Sequence, residues 1–218
     1  RLHVGQSIRF EDGSEATLRE KGDSVCLLEW LHQDPFKFFS QYGALPLPPY
    51  LAGSKATIDD YQTVFANPLG SAAAPTAGLH FTEDLLLKLK RDHPLHYVCL
   101  HVGLGTFKPI QTEDIRTHTM HEEYIEMSAS VAKELNDWKG QGKKVCAVGT
   151  TSLRTLESTY HNGKFETYMG NTGIFLYPGN PPQATDMLIT NFHTPQSSLL
   201  VLIASMVGDQ AWRRIYQE

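Results

Sequence analysis

Six residues, Leu45-Pro46-Leu47-Pro48-Pro49-Tyr50, constrain the fold of this chain more than any other stretch. Proline has no backbone N–H, fixes its own φ and pushes the residue before it out of the helical region. Pro46, Pro48 and Pro49 together therefore exclude a helix interior or a central strand. The segment reads as a stiff connector, and the sequence on either side of it differs in texture.

Residues 1–44 alternate. Ser7–Phe10, Glu15–Glu20 and Ser24–Trp30 are strand-like, separated by the turn signals Glu11-Asp12-Gly13 and Lys21-Gly22-Asp23. An antiparallel meander is expected, part of a small β domain. Asp34-Pro35 then opens a short helix, with Asp34 as the cap and Pro35 in the first helical position.

Residues 45–218 alternate helix with strand. Thr82 caps a helix to about Arg91, and His96–Val102 is an apolar strand. Ser128–Lys139 is a helix stopped by Gly140 and Gly142, with Val131, Leu135 and Trp138 inward. Lys144–Val148 is a strand, followed by a helix capped by Thr151 or Ser152. Asp186–Thr190 is a strand, and Ser197 opens the last apolar helix. This order predicts parallel βαβ units, hence an α/β domain.

Composition limits the function classes. A net charge of −5 argues against a protein that coats nucleic acid nonspecifically, which needs a basic surface. The cation clusters at Lys88/Lys90/Arg91, Lys143/Lys144 and Arg213/Arg214 read as last turns of helices or solvated faces. The widely spaced Cys26, Cys99 and Cys146 suggest buried thiols in a reducing compartment. The longest apolar run, Leu199–Val207, is far shorter than the roughly 18 residues of a membrane span. A cytoplasmic protein without membrane partners is expected.

In α/β domains ligands bind in the loops beyond the strand ends. Four such loops are rich in polar and small residues: Thr76, Gly78 and His80; His101, Gly103 and Gly105; Thr150, Thr151, Ser152 and Arg154; Asn191 and His193. Gly149-Thr150-Thr151-Ser152 at a helix start can bind a carboxylate or phosphate, with Arg154 reaching the same anion, or it can be a plain cap with a solvent-facing arginine. His80, His101 and His193 titrate near neutrality and suit general acid–base work. His118 and His121 beside Glu122 and Glu123 form a rival, metal-binding arrangement. It lacks the zinc-protease helix pattern and any cysteine pair, so no metal is expected.

Taken in order, LPLPPY (45–50), DYQTVFA (60–66), AAPTAGLHFT (73–82), LHVGLGTFKP (100–109), HTMHEEY (118–124), AVGTTSLRTLES (147–158), FLYPG (175–179) and LITNFHTPQSSLLVL (188–202) resemble one family. That family is the S-adenosylmethionine:tRNA ribosyltransferase-isomerase of queuosine synthesis. The resemblance implies a small β-barrel domain, part of it in residues 1–44, inserted in a barrel-like α/β domain, incomplete here, in residues 45–218. It also implies an internal portion of the family's chain, without the N-terminal part and the extreme C-terminus.

The implied reaction moves the ribosyl unit of S-adenosylmethionine to 7-aminomethyl-7-deazaguanine at the tRNA wobble position. Epoxyqueuosine forms, and adenine and methionine leave. S-adenosylmethionine is then an expected co-substrate and the tRNA anticodon arm a partner of a protein expected to be a monomer. His80, His101, His193 and Arg154 are the expected catalytic groups. Thr76, Gly78, Gly103, Gly105, Thr150, Thr151 and Ser152 are expected to bind substrate, and Asn191 and Glu122 to orient ribose hydroxyls. The alternatives are a catalytically incomplete tRNA-binding fragment and a metal-dependent hydrolase using His118 and His121.

Overall fold

The computed structural model describes residues 2–22, 26–31, 34–43, 59–68, 70–103 and 109–217. The chain divides into two compact units, Arg1–Pro46 and Leu47–Glu218. The proline connector, Leu45–Tyr50, lies outside the described residues.

In the first unit, β1 (Ser7–Arg9), β2 (Glu15–Lys21) and β3 (Cys26–Leu31) form an antiparallel sheet in the order β1-β2-β3. The Asp12 carboxylate receives the Ser14 N–H at 2.9 Å and so closes the β1–β2 turn. Helix α1 (Pro35–Tyr42) begins as its sequence dictates: Asp34 accepts from the Phe36 N–H and Pro35 fills a position that needs no donor. Phe10, Trp30 and Phe38 pack together with ring centroids 4.7–5.2 Å apart.

The second unit holds α2 (Glu83–Asp92), β4 (Cys99–His101), β5 (Glu123–Met127), α3 (Ala129–Gly140), β6 (Cys146–Val148), α4 (Thr150–Ser158), β7 (Tyr160–His161), β8 (Lys164–Phe165), β9 (Tyr168–Thr172), β10 (Met187–Ile189), α5 (Ser198–Val207) and α6 (Asp209–Ile215). Hydroxyl caps set three helix starts: Thr82 accepts from Leu85 N–H, Ser128 from Val131 N–H and Ser197 from Leu200 N–H. Buried apolar side chains of α3, β6, α4 and α5, including Leu135, Ala147, Leu153, Leu156 and Leu202, make one core.

Two expectations need correction. The architecture is mixed α/β, but among the described residues only β6 and β10 pair in parallel; β4, β5 and β9 form an antiparallel sheet. The reason is local. Between β4 and β5 the described chain offers only a 3-10 turn, Ile115–Thr117, and no crossover helix to carry it back to a parallel start. No sheet closes into a barrel among the described residues. The thiols are not buried: Cys26 and Cys146 are exposed and Cys99 is half-buried, since the first four residues of β3 all face solvent and Cys146 lies on the other face of β6 from the buried Ala147.

Candidate functional site

Gly149 leaves β6 with φ +91°, a left-handed conformation that glycine adopts without steric cost, and α4 starts on the next residue. Its N–H is held by the Ile189 carbonyl of β10, so the parallel pair ends where α4 begins. Neither Thr151 nor Ser152 caps this helix. Ser152 Oγ turns back to the Val148 carbonyl at 2.8 Å, and no side chain caps the first turn. Thr150 is buried at the helix start.

Beyond β10 the chain brings distant residues together. Thr76 Oγ1 donates to Asn191 Oδ1 at 3.0 Å, while Asn191 Nδ2 lies 3.3 Å from His80 Nε2. Asn191 thus bridges both ends of the 3-10 turn Thr76–His80. Gly78 lies inside that turn, buried, and a Cβ there would meet Phe65 and Thr63 side chains at 2.8 Å. Its place is explained by close packing. Nearby in sequence, His193 Nε2 lies 3.0 Å from Thr190 Oγ1, and its backbone N–H donates to the Tyr216 hydroxyl. Burial holds the His193 imidazole below the usual histidine range, so it is neutral at pH 7.

A second group forms at the end of β4. His101 stacks on Tyr124 at 5.8 Å, with Nε2 3.7 Å from Cys99 Sγ. Two residues on, Gly103 N–H donates to Glu123 Oε1 at 3.2 Å. Glu123 has no exposed side-chain surface. Its other oxygen, Oε2, accepts from Arg154 Nη1, and His121 Nε2 lies 3.3 Å from Oε1.

Arg154 is thus an internal partner of Glu123 and not a solvent-facing residue of the first helical turn. Glu122 points the other way, exposed, and accepts from Asn171 Nδ2 at 3.2 Å. Gly105 lies outside the described residues.

The two groups are linked by the segment that precedes the 3-10 turn. Ser71 Oγ receives the Val102 N–H and donates to the Leu100 carbonyl, and five residues later Thr76 reaches Asn191. Five extended residues span at most ~18 Å, which bounds the distance from the Ser71 backbone to that of Thr76.

Sequence reading placed Glu123 only in the rival metal-binding arrangement, although Glu123-Tyr124-Ile125-Glu126-Met127 puts it in phase with the buried Ile125 and Met127. His118 packs edge-on against Phe175 while His121 faces Glu123, so the two histidines of the rival metal-binding arrangement turn to different partners. Among the described residues no group of three or more His, Cys, Asp and Glu side chains is arranged to hold a metal. A cavity of about 740 Å³ lies between α2, residues 93–98 and the β6–β10 pair. Of the described site residues expected from the sequence, only Ser152 lines it.

Fold and loops define a mixed α/β protein whose polar groups, several of them histidines, gather at strand ends around a buried carboxylate and a bridging amide. A family model described as queuosine biosynthesis protein matches residues 1–218, and the chain belongs to that family.

An S-adenosylmethionine:tRNA ribosyltransferase-isomerase of Nostoc sp. is 45% identical over 188 residues, covering 85% of this chain and 47% of the relative. The enzyme of the same name from Francisella philomiragia is 40% identical over 218 residues, covering 98% and 64%. The crystal structure of S-adenosylmethionine tRNA ribosyltransferase from Thermotoga maritima superposes with a TM-score of 0.52 at 26% identity, covering all of this chain and 60% of that one. The chain therefore spans less than two thirds of the length of these relatives. No helix among the described residues is long and apolar enough to cross a membrane.

Proposed function

We propose that this chain carries the reaction of its named relatives: transfer of the ribosyl unit of S-adenosylmethionine to a 7-aminomethyl-7-deazaguanine base at the tRNA wobble position, with isomerisation to epoxyqueuosine and release of adenine and methionine. The observation that carries this reading is the Thr76–Asn191–His80 cluster. Residues more than 100 positions apart in the chain are held by side-chain hydrogen bonds in loops, where an α/β fold places its ligands.

The reaction needs a base near the acidic C5′ protons of the sulfonium, a proton donor for the departing adenine, and fixed polar groups for the developing charges. His80 is exposed beside Asn191 and suits proton delivery to the purine. His193, kept neutral by burial, suits proton acceptance, and His101 is a further candidate at the β4 end. Thr76 and Asn191 suit the ribose hydroxyls, with Glu122, Gly103 and Gly105 as further groups for substrate binding. The first-turn N–H groups of Thr150, Thr151 and Ser152 suit the methionine carboxylate.

In this reading S-adenosylmethionine is a co-substrate and not a resident cofactor. The anticodon arm is the macromolecular partner, the protein works as a cytoplasmic monomer, and the relatives' complete chains extend its sheets towards barrels. Adenine release tests it. The chain is incubated with S-adenosylmethionine and tRNA bearing the modified base, and adenine is followed by chromatography. Release that depends on the modified base is expected. A folded chain that binds this tRNA and releases no adenine would instead be a binding module.

A further inference from the structure

We propose that the cavity between α2, residues 93–98 and the β6–β10 pair is the adenine subsite of the transfer reaction, holding the base of S-adenosylmethionine. This rests on the ribosyl-transfer reading above. Protein interiors pack closely, and few of their voids exceed a water molecule. A space of about 740 Å³ falls instead in the range of sites built for small molecules. Helix α2 keeps it open. Leu86 and Leu89 lie on its apolar side and line the cavity, yet no residue of this helix is buried. The helix therefore stands off from β6 and α3 across the cavity.

The lining adjoins the loops assigned to chemistry. Phe65 belongs to it, and the Phe65 ring abuts the turn Thr76–His80: a Cβ on Gly78 would meet Phe65 Cζ at 2.8 Å. Phe81, the residue after His80, lines the cavity as well. So does Ile189, two residues before Asn191, and its carbonyl accepts the Gly149 N–H where α4 starts. Ser152, in the first turn of α4, is a further lining residue. The cavity thus borders both the Thr76–Asn191–His80 cluster and the helix start assigned to the methionine carboxylate.

The chemistry of the walls selects the occupant. Phe65, Phe81, Tyr97 and Trp138 offer aromatic rings, on which a flat base stacks. The charged lining residues Asp92, Lys143 and Lys144 are all exposed, so the walls bury no charge of their own. The methionine end of the co-substrate is a zwitterion, and 7-aminomethyl-7-deazaguanine carries an ammonium group. Burying such charges without a partner is costly. Adenine is flat and neutral, and it is the part of the two substrates that these walls suit.

Cys146 is a reporter inside the cavity: it is a lining residue with a free thiol, whereas Cys26, also free and exposed, belongs to the first unit. The chain is alkylated with iodoacetamide, alone and with S-adenosylmethionine, adenine or methionine, and the rate at each cysteine is read by mass spectrometry of peptides. Calorimetry supplies each Kd. At ten times Kd, S-adenosylmethionine and adenine are each expected to slow alkylation of Cys146 about tenfold, with Cys26 unchanged. Methionine is expected to leave both rates unchanged. Leu89→Trp, which directs an indole at the cavity, is expected to weaken S-adenosylmethionine binding by ~10-fold or more, as lost stacking does, with the urea midpoint unchanged.

S-adenosylmethionine that binds without protecting Cys146, or protection by methionine alone, overturns the subsite and leaves the transfer reading intact. A folded Leu89→Trp chain that binds S-adenosylmethionine as tightly as the parent also overturns it. A chain that binds neither S-adenosylmethionine nor adenine overturns both. Protection of Cys146 by S-adenosylmethionine and adenine, with no adenine released in the presence of the modified tRNA, upholds the cavity as a purine site and overturns the transfer reading.

Discussion

Glu123 and Arg154 are opposite charges buried together in the second unit, with 0% and 4% of their side chains exposed. Removing water from both is costly, and the pair is tolerable only because each charge compensates the other. Arg154→Met removes the compensation and leaves a buried carboxylate with the Gly103 N–H and His121. A loss of roughly 3–5 kcal/mol in urea unfolding is expected. The double variant Arg154→Met/Glu123→Leu should recover much of it; a single variant as stable as the parent would mean that the pair is solvated in solution.

His193 supplies a second test at this scale, with a sign fixed by its surroundings. Burial lowers its folded pKa from the ordinary 6.5, so below that value the unfolded chain binds a proton that the folded chain refuses. Its contribution to stability is therefore fully present above pH 6.5 and is lost as pH falls through the lowered value. Urea midpoints measured from pH 7.5 down to pH 5 should decline less steeply in His193→Asn than in the parent. Parallel declines would show that His193 is solvated.

Among the elements, α4 links the site to the core through a residue that no motif announced. Glu157, buried near the end of α4, accepts the backbone N–H groups of Gln183, Ala184 and Thr185 at 2.7–3.1 Å and so anchors the turn that leads into β10. Glu157→Ala strands the N–H groups of buried Ala184 and Thr185, while that of exposed Gln183 can turn to water, and each unsatisfied buried group costs about 1–3 kcal/mol. The expected result is a loss of at least ~2 kcal/mol of stability together with faster hydrogen exchange at Gln183–Thr185. Unchanged exchange there would show that water replaces the carboxylate.

The contrast between Glu157 and the capping residues explains what the sequence reveals. Asp34, Thr82, Ser128 and Ser197 were legible as helix starts because a cap needs only a hydroxyl or carboxylate two or three residues from its donor. Glu157 bonds residues 26–28 positions away, and Thr76 bonds Asn191 across 115 positions. Nothing local encodes such pairings. The loops holding His80, His101, Arg154 and Asn191 were legible as places for chemistry, whereas the partner of each was not. Gly149 was passed over as a cap because hydroxyls follow it directly, and the sharp exit from β6 required positive φ.

At the scale of the whole molecule, the two units differ in what can hold them together. Arg1–Pro46 is near the size at which a single core becomes marginal. Its fully buried apolar side chains, among the described residues, are Ala16 and Leu18, supplemented by the ring cluster of Phe10, Trp30 and Phe38. Leu47–Glu218 has a continuous core through α3, β6, α4 and α5. Stability that follows buried apolar area should therefore be unequal along the chain.

Hydrogen exchange at increasing urea, read by mass spectrometry on peptides from β2–β3 and from β6–α4, measures both openings in one sample. The β2–β3 ladder is expected to open with the smaller free energy and the weaker urea dependence, since less surface is exposed when it unfolds. Equal free energies and equal urea slopes for the two sets would mean that the units unfold as one cooperative body. The small sheet would then draw its stability from the larger unit, and substitutions in the Phe10–Trp30–Phe38 cluster would lower protection in α4 as much as in β2.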